Sequence, residues 1–149
     1  MRRKTALPLL LAFLVALLAS GCALGKKEWP EPQLREDNFS LKLAAAEKRD
    51  GCLLLDVMVA GAKERLYRVS IEYEAVGDAE GEGCIGCPFV PRNAKHITRD
   101  SAEFKLEGRR LSISLCGLDP YKTYRFRVTG QSELPTVPLV HTDVYITEN

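Results

Sequence analysis

The sequence has few of the residues from which catalytic and metal sites are built. It contains two histidines, His96 and His141, five cysteines and a single tryptophan. No G-x-S-x-G, H-E-x-x-H or phosphate-binding motif accompanies them, so nothing brings together a nucleophile, a base and an oxyanion donor. We therefore predict that the chain is not an enzyme, that it has no catalytic residues and no cofactor, and that both histidines lie at the surface.

An excess of either charge is also missing. Lysine and arginine together number 21, aspartate and glutamate 20, and the formal net charge is +1. A nearly neutral chain without a basic block has no electrostatic means of holding a phosphate backbone. Nucleic acid is therefore not an expected partner.

The first 22 residues, MRRKTALPLLLAFLVALLASGC, have the pattern of a secretory signal peptide. Three basic residues precede an apolar run from about Ala6 to Ala19, which is too short to be a comfortable membrane span. The final LASGC resembles the lipobox of bacterial lipoproteins, in which small residues precede a cysteine that is lipidated and becomes the first residue of the mature chain. We expect a signal peptide at residues 1–21 and lipidation of Cys22; a plain signal peptide and an uncleaved anchor are the alternatives.

The lipoprotein resemblance implies where the protein resides. Each acyl chain on Cys22 would contribute about 0.8 kcal/mol per buried CH₂, so two or more chains hold a protein firmly to a membrane surface. Ala23, in place of an aspartate after the cysteine, implies the outer membrane of a Gram-negative cell, on the periplasmic side. The protein is thus expected in the cell envelope, anchored to a membrane through Cys22 without spanning it.

The mature chain is expected to divide into a tether and one domain. Removing residues 1–21 would leave 149 minus 21, or 128, residues, which is enough for a single hydrophobic core. Residues 22–37 are polar and contain two prolines, which favour an extended tether. Trp29 in this segment either contacts a partner or folds back onto the domain edge. The opening CALGKKEWPEP also resembles the starts of small lipoproteins that associate with outer-membrane assembly machinery.

Beyond residue 38 apolar and polar residues alternate, as is typical of β-strands. The pattern is clearest in YRVSIEYE, residues 67–74, where Tyr67 and every second residue after it are predicted to face the core, and Glu72 and Glu74 to face water. Residues 52–59, CLLLDVMV, form a nearly continuous apolar run, as expected of a central strand. About seven such segments are separated by turn signals, so the sequence predicts an all-β antiparallel sandwich.

Residues 117–128, GLDPYKTYRFRV, resemble the E-to-F corner of fibronectin type III domains, where a G-L-x-P turn leads into a tyrosine and an alternating strand. The resemblance implies that Leu118 plugs the core, that Pro120 belongs to the turn, and that Tyr124 is a tyrosine corner whose hydroxyl bonds back to the loop backbone. It also implies an immunoglobulin-like (fibronectin type III-like) domain at residues 38–149. Two departures from the family are the lack of a tryptophan in the second strand and a longer region between residues 76 and 101.

Four cysteines remain if Cys22 is lipidated, and they allow three pairings. In the sandwich that the resemblance implies, the second and fifth strands are antiparallel neighbours, which favours Cys52 with Cys116 and leaves Cys84 with Cys87. The C-x-x-C spacing of the second pair also occurs in redox sites and metal sites. Pro88 stands where haem attachment needs a histidine, and no second C-x-x-C supplies further zinc ligands, so we predict a structural disulfide and no metal. The alternative function is a periplasmic thiol-disulfide or metal-handling protein that uses Cys84 and Cys87.

The long region from Gly77 to Asp100 is the candidate binding surface, with Phe89, Val90 and Ile97 as apolar anchors. The alternative is an excursion that bears a strand and covers the sandwich edge. Acidic residues at 78, 80 and 82 do not have the spacing of a calcium loop and are expected to be solvated. The sequence therefore predicts a membrane-anchored envelope lipoprotein that acts as a non-catalytic protein-binding or scaffolding module, with another envelope protein as its partner.

Overall fold

The computed structural model describes residues 36–147. The predicted signal peptide, Cys22, Trp29 and all but the last two residues of the predicted tether lie outside the described residues, so lipidation of Cys22 stays a prediction. Residues 36–147 form nine β-strands and one 3₁₀ turn, Lys63–Arg65. The strands are β1 (Phe39–Arg49), β2 (Cys52–Gly61), β3 (Leu66–Val76), β4 (Asn93–Thr98), β5 (Lys105–Glu107), β6 (Arg110–Cys116), β7 (Thr123–Ser132), β8 (Val140–His141) and β9 (Tyr145–Ile146). No helix in this part of the chain is long and apolar enough to cross a membrane.

The strands form two antiparallel sheets. The first sheet has the order β1-β2-β6-β5, and the second has the order β4-β3-β7-β8, with β9 also paired to β7. In the letters of immunoglobulin-like sandwiches these orders are A-B-E-D and C′-C-F-G, where β8 and β9 together form the last strand. The predicted fold class, an all-β immunoglobulin-like sandwich, is therefore confirmed.

The last strand is divided into β8 and β9, and a threonine that follows each of them bonds to β7 through its side chain as well as its backbone. The hydroxyl oxygen of Thr142 accepts the backbone N–H of Val128 at 3.0 Å. The hydroxyl oxygen of Thr147 accepts the backbone N–H of Tyr124 at 2.9 Å. This division and the strand β4 raise the count above the seven strands that the sequence predicts.

Alternate residues of both sheets form one hydrophobic core between them. Its fully buried members come from the central strands and from β6: Val57, Leu66, Val69, Ile71, Leu111 and Val128. Close approach of the sheets requires a glycine in β7, because a Cβ on Gly130 would lie 2.9 Å from side-chain atoms of Phe39 and Leu41. The first half of β1 therefore packs directly over the second sheet.

The predicted disulfide bonds are present. Cys52 of β2 and Cys116 of β6 face each other directly in the ladder and are bonded, across a sequence separation of 64. Closing a loop of this length in the unfolded chain stabilises the fold by roughly 4 kcal/mol. Cys84 and Cys87 form the second bond.

The turn before β7 has the geometry of a tyrosine corner. The backbone N–H of Asp119 donates to the hydroxyl oxygen of Tyr124 at 3.0 Å. Leu118 is buried in the core cluster, and its backbone N–H donates to the carbonyl of Gly51 at 2.9 Å. Pro120 is exposed, and its carbonyl accepts a hydrogen bond from Lys48 Nζ at 2.8 Å. The turn is thus tied both to its own strand and to the β1–β2 hairpin.

The predicted orientation of Tyr67 and the predicted exposure of Glu74 are wrong. Tyr67 is 44% exposed, because a register irregularity between Leu66 and Arg68 interrupts the alternation and gives the core position to Leu66. Glu74 does lie on the outer face of the sheet, but it is only 2% exposed because a loop covers it. The loop that covers Glu74 is part of the candidate site.

Candidate functional site

The long region between β3 and the end of β4 consists of a loop and a strand. Residues 77–92, which we call the disulfide loop, return to the outer face of the second sheet, whereas β4 pairs with β3 along the sheet edge. Ile97 in β4 lies opposite Val69 and is 1% exposed. The prediction that Ile97 is an exposed anchor is therefore wrong, because the alternation of β4 directs this side chain into the core.

The first part of the disulfide loop is fastened to the end of β3 and to the turn before β7. The backbone N–H of Gly77 donates to the carbonyl of Gly83 at 3.0 Å, and that of Gly83 donates to the carbonyl of Ala75 at 2.8 Å. The carboxylate of Glu82 accepts a hydrogen bond from Lys122 Nζ at 2.7 Å. This hydrogen bond lowers the pKa of Glu82 and raises the pKa of Lys122.

The acidic residues of this part do not converge on a common point. Asp78 and Glu80 are exposed, and Glu82 is engaged by Lys122 and by the backbone N–H of Ala79. Within residues 36–147 no group of three or more histidine, cysteine, aspartate or glutamate side chains is arranged to hold a metal ion.

A buried ion pair lies beneath the middle of the disulfide loop. Arg125 Nη1 is 3.5 Å from Glu74 Oε1, and both side chains are almost completely buried. The same Nη1 donates a hydrogen bond to the carbonyl of Cys84 at 2.6 Å. Because Glu74 Oε1 accepts no hydrogen bond from the described residues, its charge depends on the arginine. Arg125 therefore links the disulfide loop to the buried carboxylate of Glu74.

Phe89 fastens the far part of the disulfide loop. Its ring centroid is 5.5 Å from the guanidinium carbon of Arg125 and 5.4 Å from that of Arg127, and the ring is half-buried. Arg127 is held in turn by Glu72, at 2.6 Å between Nε and Oε2. Cation–π contacts of this kind favour the closed position of the loop. Phe89 thus faces its own sheet, whereas the sequence had predicted an outward anchor.

Two other apolar side chains of the loop point to solvent. Ile85, between the two bonded cysteines, is 67% exposed, and Val90 is 57% exposed. The sequence prediction included Val90 but missed Ile85. The signal for Ile85 was its position in the short C-x-x-C ring, whose other middle residue is a glycine.

The Cys84–Cys87 disulfide forms a small ring on the loop surface. Both cysteines are exposed, and the backbone N–H of Cys87 donates to the carbonyl of Cys84 at 3.2 Å. Closing so short a loop is worth only roughly 2 kcal/mol, so the bond acts on the shape of the loop more than on the whole fold. Redox C-x-x-C motifs place the first cysteine at a helix N-terminus, which lowers its pKa. Cys84 instead follows a turn, and the only helical element of the described residues is the 3₁₀ turn Lys63–Arg65.

The two histidines belong to one row across the outer face of the second sheet. Their Nδ1 atoms form hydrogen bonds with hydroxyls of the central strands, at 2.7 Å between His96 and Ser70 and at 2.9 Å between His141 and Thr129. Ser70 and Thr129 face each other and are buried in the middle of the row. A serine so covered has no access to a substrate, so the His96–Ser70 pair acts as a cross-strand contact.

Comparison with known proteins gives only a distant likeness. No family model matches the chain, and no curated protein matches it significantly. Among solved structures, a similar chain is the chitinase ChiW of a Paenibacillus strain, described as a cell-surface-expressed multi-modular enzyme machinery. The match has 17% sequence identity and a TM-score of 0.45, and it covers 74% of this chain and 8% of that chain. At these values the likeness carries no argument about function.

The fold and the site nevertheless define the structural class of the described residues. The described residues are an immunoglobulin-like β-sandwich with an inter-strand disulfide in one sheet and a fastened disulfide loop on the other.

Proposed function

We propose that this chain is a membrane-anchored lipoprotein of a bacterial cell envelope, in which the sandwich acts as a non-catalytic module that binds or scaffolds another envelope protein. The signal peptide and the lipobox-like LASGC in the sequence support export and lipidation at Cys22. The observation that carries the binding role is the disulfide loop, which presents Ile85 and Val90 to solvent from a fastened backbone.

Fastening matters because ordering a loop on binding costs conformational entropy. Four groups hold this loop closed before any partner arrives: the Glu82–Lys122 ion pair, the hydrogen bond from Arg125 to the carbonyl of Cys84, the Phe89 ring over two arginines, and the disulfide. A loop already in one conformation keeps more of its contact energy as affinity. Exposed apolar side chains on such a loop are what a protein partner uses as anchors.

The binding role is tested by charge substitution at the two exposed side chains. Site-specific photo-crosslinking of the full-length protein in its own envelope is compared for the wild type, an Ile85→Glu/Val90→Glu variant and the control Leu139→Glu, an exposed leucine near β8. We expect the loop variant to lose the partner crosslink and the control to retain it. Crosslinks that survive in the loop variant at wild-type yield would contradict the proposal. Deleting residues 77–100 is not a usable test, because it would remove β4 and the core residue Ile97.

The anchor is tested separately. Metabolic labelling with a palmitate analogue is expected to mark the wild type and not Cys22→Ser, and the variant is expected to be released from membranes by alkaline carbonate. Mass spectrometry of the wild-type N-terminus gives the mature first residue. An unlabelled wild type that begins at another residue would show a plain signal peptide, and one that still contains residues 1–21 would show an uncleaved anchor.

A further inference from the structure

β1 is an edge strand of the first sheet, and its two halves have different surroundings. It pairs only with β2. In the first half, Phe39 and Leu41 are buried over Gly130 of the second sheet. A bulge between Leu43 and Ala45 then shifts the register, and residues 44–47 are exposed. The second half of β1 therefore leaves the second sheet and has an open edge.

A groove lies on each side of this second half. On the outer face of the first sheet a groove of about 740 Å³ runs from Ala45 and Glu47 over Leu54 to Ser112 and Ser114. On the inner side a gap of about 500 Å³ separates β1 from β9. Neither β8 nor β9 pairs with β1, so no backbone ladder closes this gap.

The two grooves differ in chemistry. The inner gap has a mixed lining, with the apolar side chains Leu43, Leu53, Phe126 and Tyr145 beside the polar side chains Glu47, Lys48 and Thr147. The outer groove carries three carboxylates, Glu47, Asp56 and Glu103, against one cation of its own, Lys105, although Glu103 also pairs with Lys95 at 2.8 Å. The outer groove therefore favours cationic side chains.

The register of β1 connects the grooves to a strand-shaped ligand. Ala45 lies opposite Asp56 on the outer face, and Ala46 lies opposite Leu55 on the core side. Side chains of a strand added beside them would alternate in the same way, one into the outer groove and the next into the inner gap. The alanines leave room on both sides. Lys48 closes the far end, because its Nζ is held by the carbonyls of Pro120 and Lys122.

From this geometry we infer that residues 44–47 of β1 accept an added β-strand from a partner protein, an extended segment in which every second residue is lysine or arginine. Main-chain hydrogen bonds to the open edge supply affinity, and the carboxylates of the outer groove supply specificity. The edge strand β4 of the second sheet is protected: Lys95 on its inward face is held by Glu103 and by the carbonyl of Ser114, and an inward charge of this kind blocks strand addition. The site belongs to the first sheet and does not depend on the disulfide loop.

The test uses a fluorescein-labelled synthetic peptide of alternating valine and lysine, seven residues long, and the full-length protein in detergent micelles. We expect saturable binding by anisotropy, and slower hydrogen exchange of the amides of residues 44–47 when the peptide is present. Two matched peptides give the controls: one alternates valine with glutamate, and the other keeps the lysines but is N-methylated at every second backbone nitrogen, on the edge that would face β1. Each is expected to bind at least about tenfold more weakly.

A pair of protein variants tests the location. Ala46→Phe fills the inner gap, whereas Ser40→Phe places the same side chain at an exposed position in the packed half of the same strand. We expect Ala46→Phe to weaken peptide binding at least about tenfold and Ser40→Phe to leave it unchanged. Equal binding by the N-methylated peptide would overturn the inference without any variant, so it stays testable if Ala46→Phe does not fold. Protection, before peptide is added, of those amides of residues 44–47 that do not bond to β2 would also overturn it, because a second copy or another segment of this chain would then occupy the edge.

Discussion

Gly83 lies directly against the carboxylate of Glu74. A Cβ on Gly83 would be 2.7 Å from both Cδ and Oε2 of Glu74, closer than real Cβ atoms come to other heavy atoms. The loop backbone thus replaces water over a buried charge, and the carboxylate keeps Arg125 as its counter-ion. The absence of a side chain at residue 83 is what allows the loop to close over the ion pair.

The substitution Gly83→Ala tests this contact. The added methyl group must move either the loop or the buried carboxylate, so we expect the free energy of unfolding to fall by about 1–3 kcal/mol. Urea denaturation measures it. Gly86→Ala in the same loop is the control, because a Cβ there meets nothing within 4 Å. An equal effect of the two substitutions would mean that the close contact of Gly83 with Glu74 is unimportant.

The ion pair can be tested from the arginine side. Arg125→Met leaves the Glu74 carboxylate buried without a counter-ion, and we expect a loss of about 3–5 kcal/mol of stability. Adding Glu74→Leu should recover most of it, because the uncompensated charge is removed. Arg127 lies on the same strand as Arg125 and forms a more exposed ion pair with Glu72. Arg127→Met should therefore lower the free energy of unfolding by about 1 kcal/mol or less. Thermal and urea unfolding of the wild type, Arg125→Met, Glu74→Leu and the double variant supply the double-mutant cycle, and no recovery in the double variant would contradict the explanation.

The two disulfides should differ in their effect on stability. Replacing Cys52 and Cys116 by alanine should cost roughly 4 kcal/mol, and replacing Cys84 and Cys87 roughly 2 kcal/mol, because loop-closure entropy grows with loop length. Non-reducing mass mapping in glutathione buffers of graded potential tests the redox alternative in the same experiment. A structural Cys84–Cys87 bond should remain oxidised at the poise of the glutathione pool. Reduction of this bond alone under those conditions would favour the thiol-disulfide function.

The ion pair of Glu82 and Lys122 should stabilise the closed loop over a defined pH range. The hydrogen bond lowers the pKa of Glu82 from its usual 4.5, so this contribution is present above that pH and is lost as pH falls through the folded-state pKa. The pKa of Lys122 is raised from its usual 10.5, so its contribution is present below that pH and is lost as pH rises through the folded-state pKa. NMR titration of the Glu82 carboxyl carbon checks the first limit. In Lys122→Met the pKa of Glu82 should return towards 4.5, and an unchanged value would contradict the assigned cause.

The sequence predicted those elements of the fold that short-range patterns determine, namely alternating strands and a corner motif. Alternation identified β3 and β7, and GLDPYKTY identified the corner in which Tyr124 bonds to Asp119. The bulge in β1 was not predictable, because the alanine run that contains it has the same small side chain at each position and carries no face preference. The burial of Glu74 was missed for another reason: it depends on a loop that returns over the strand, and no period in the sequence encodes that return.

The candidate site was partly visible in the sequence. Glu72 and Glu74 are two residues apart, as are Arg125 and Arg127. The two pairs of residues lie on strands that the resemblance places side by side, and the structure joins them in two ion pairs. Recognising those pairs would have identified the face on which the loop rests. The role of Phe89 could not be predicted from the sequence. The composition of the loop is the same whether this ring faces solvent or rests on arginines.

The bond between Cys52 and Cys116 has a mechanical consequence. A pull on the N-terminal side of β1, the side on which a lipid anchor would act, separates β1 from β2 one residue pair at a time, from Phe39 and Gly61 towards Arg49 and Cys52. At Cys52 the unzipping meets a covalent bond to β6. Separation of β1 from β2 therefore ends at Cys52, where the load would pass through the disulfide to β6, an inner strand of the first sheet.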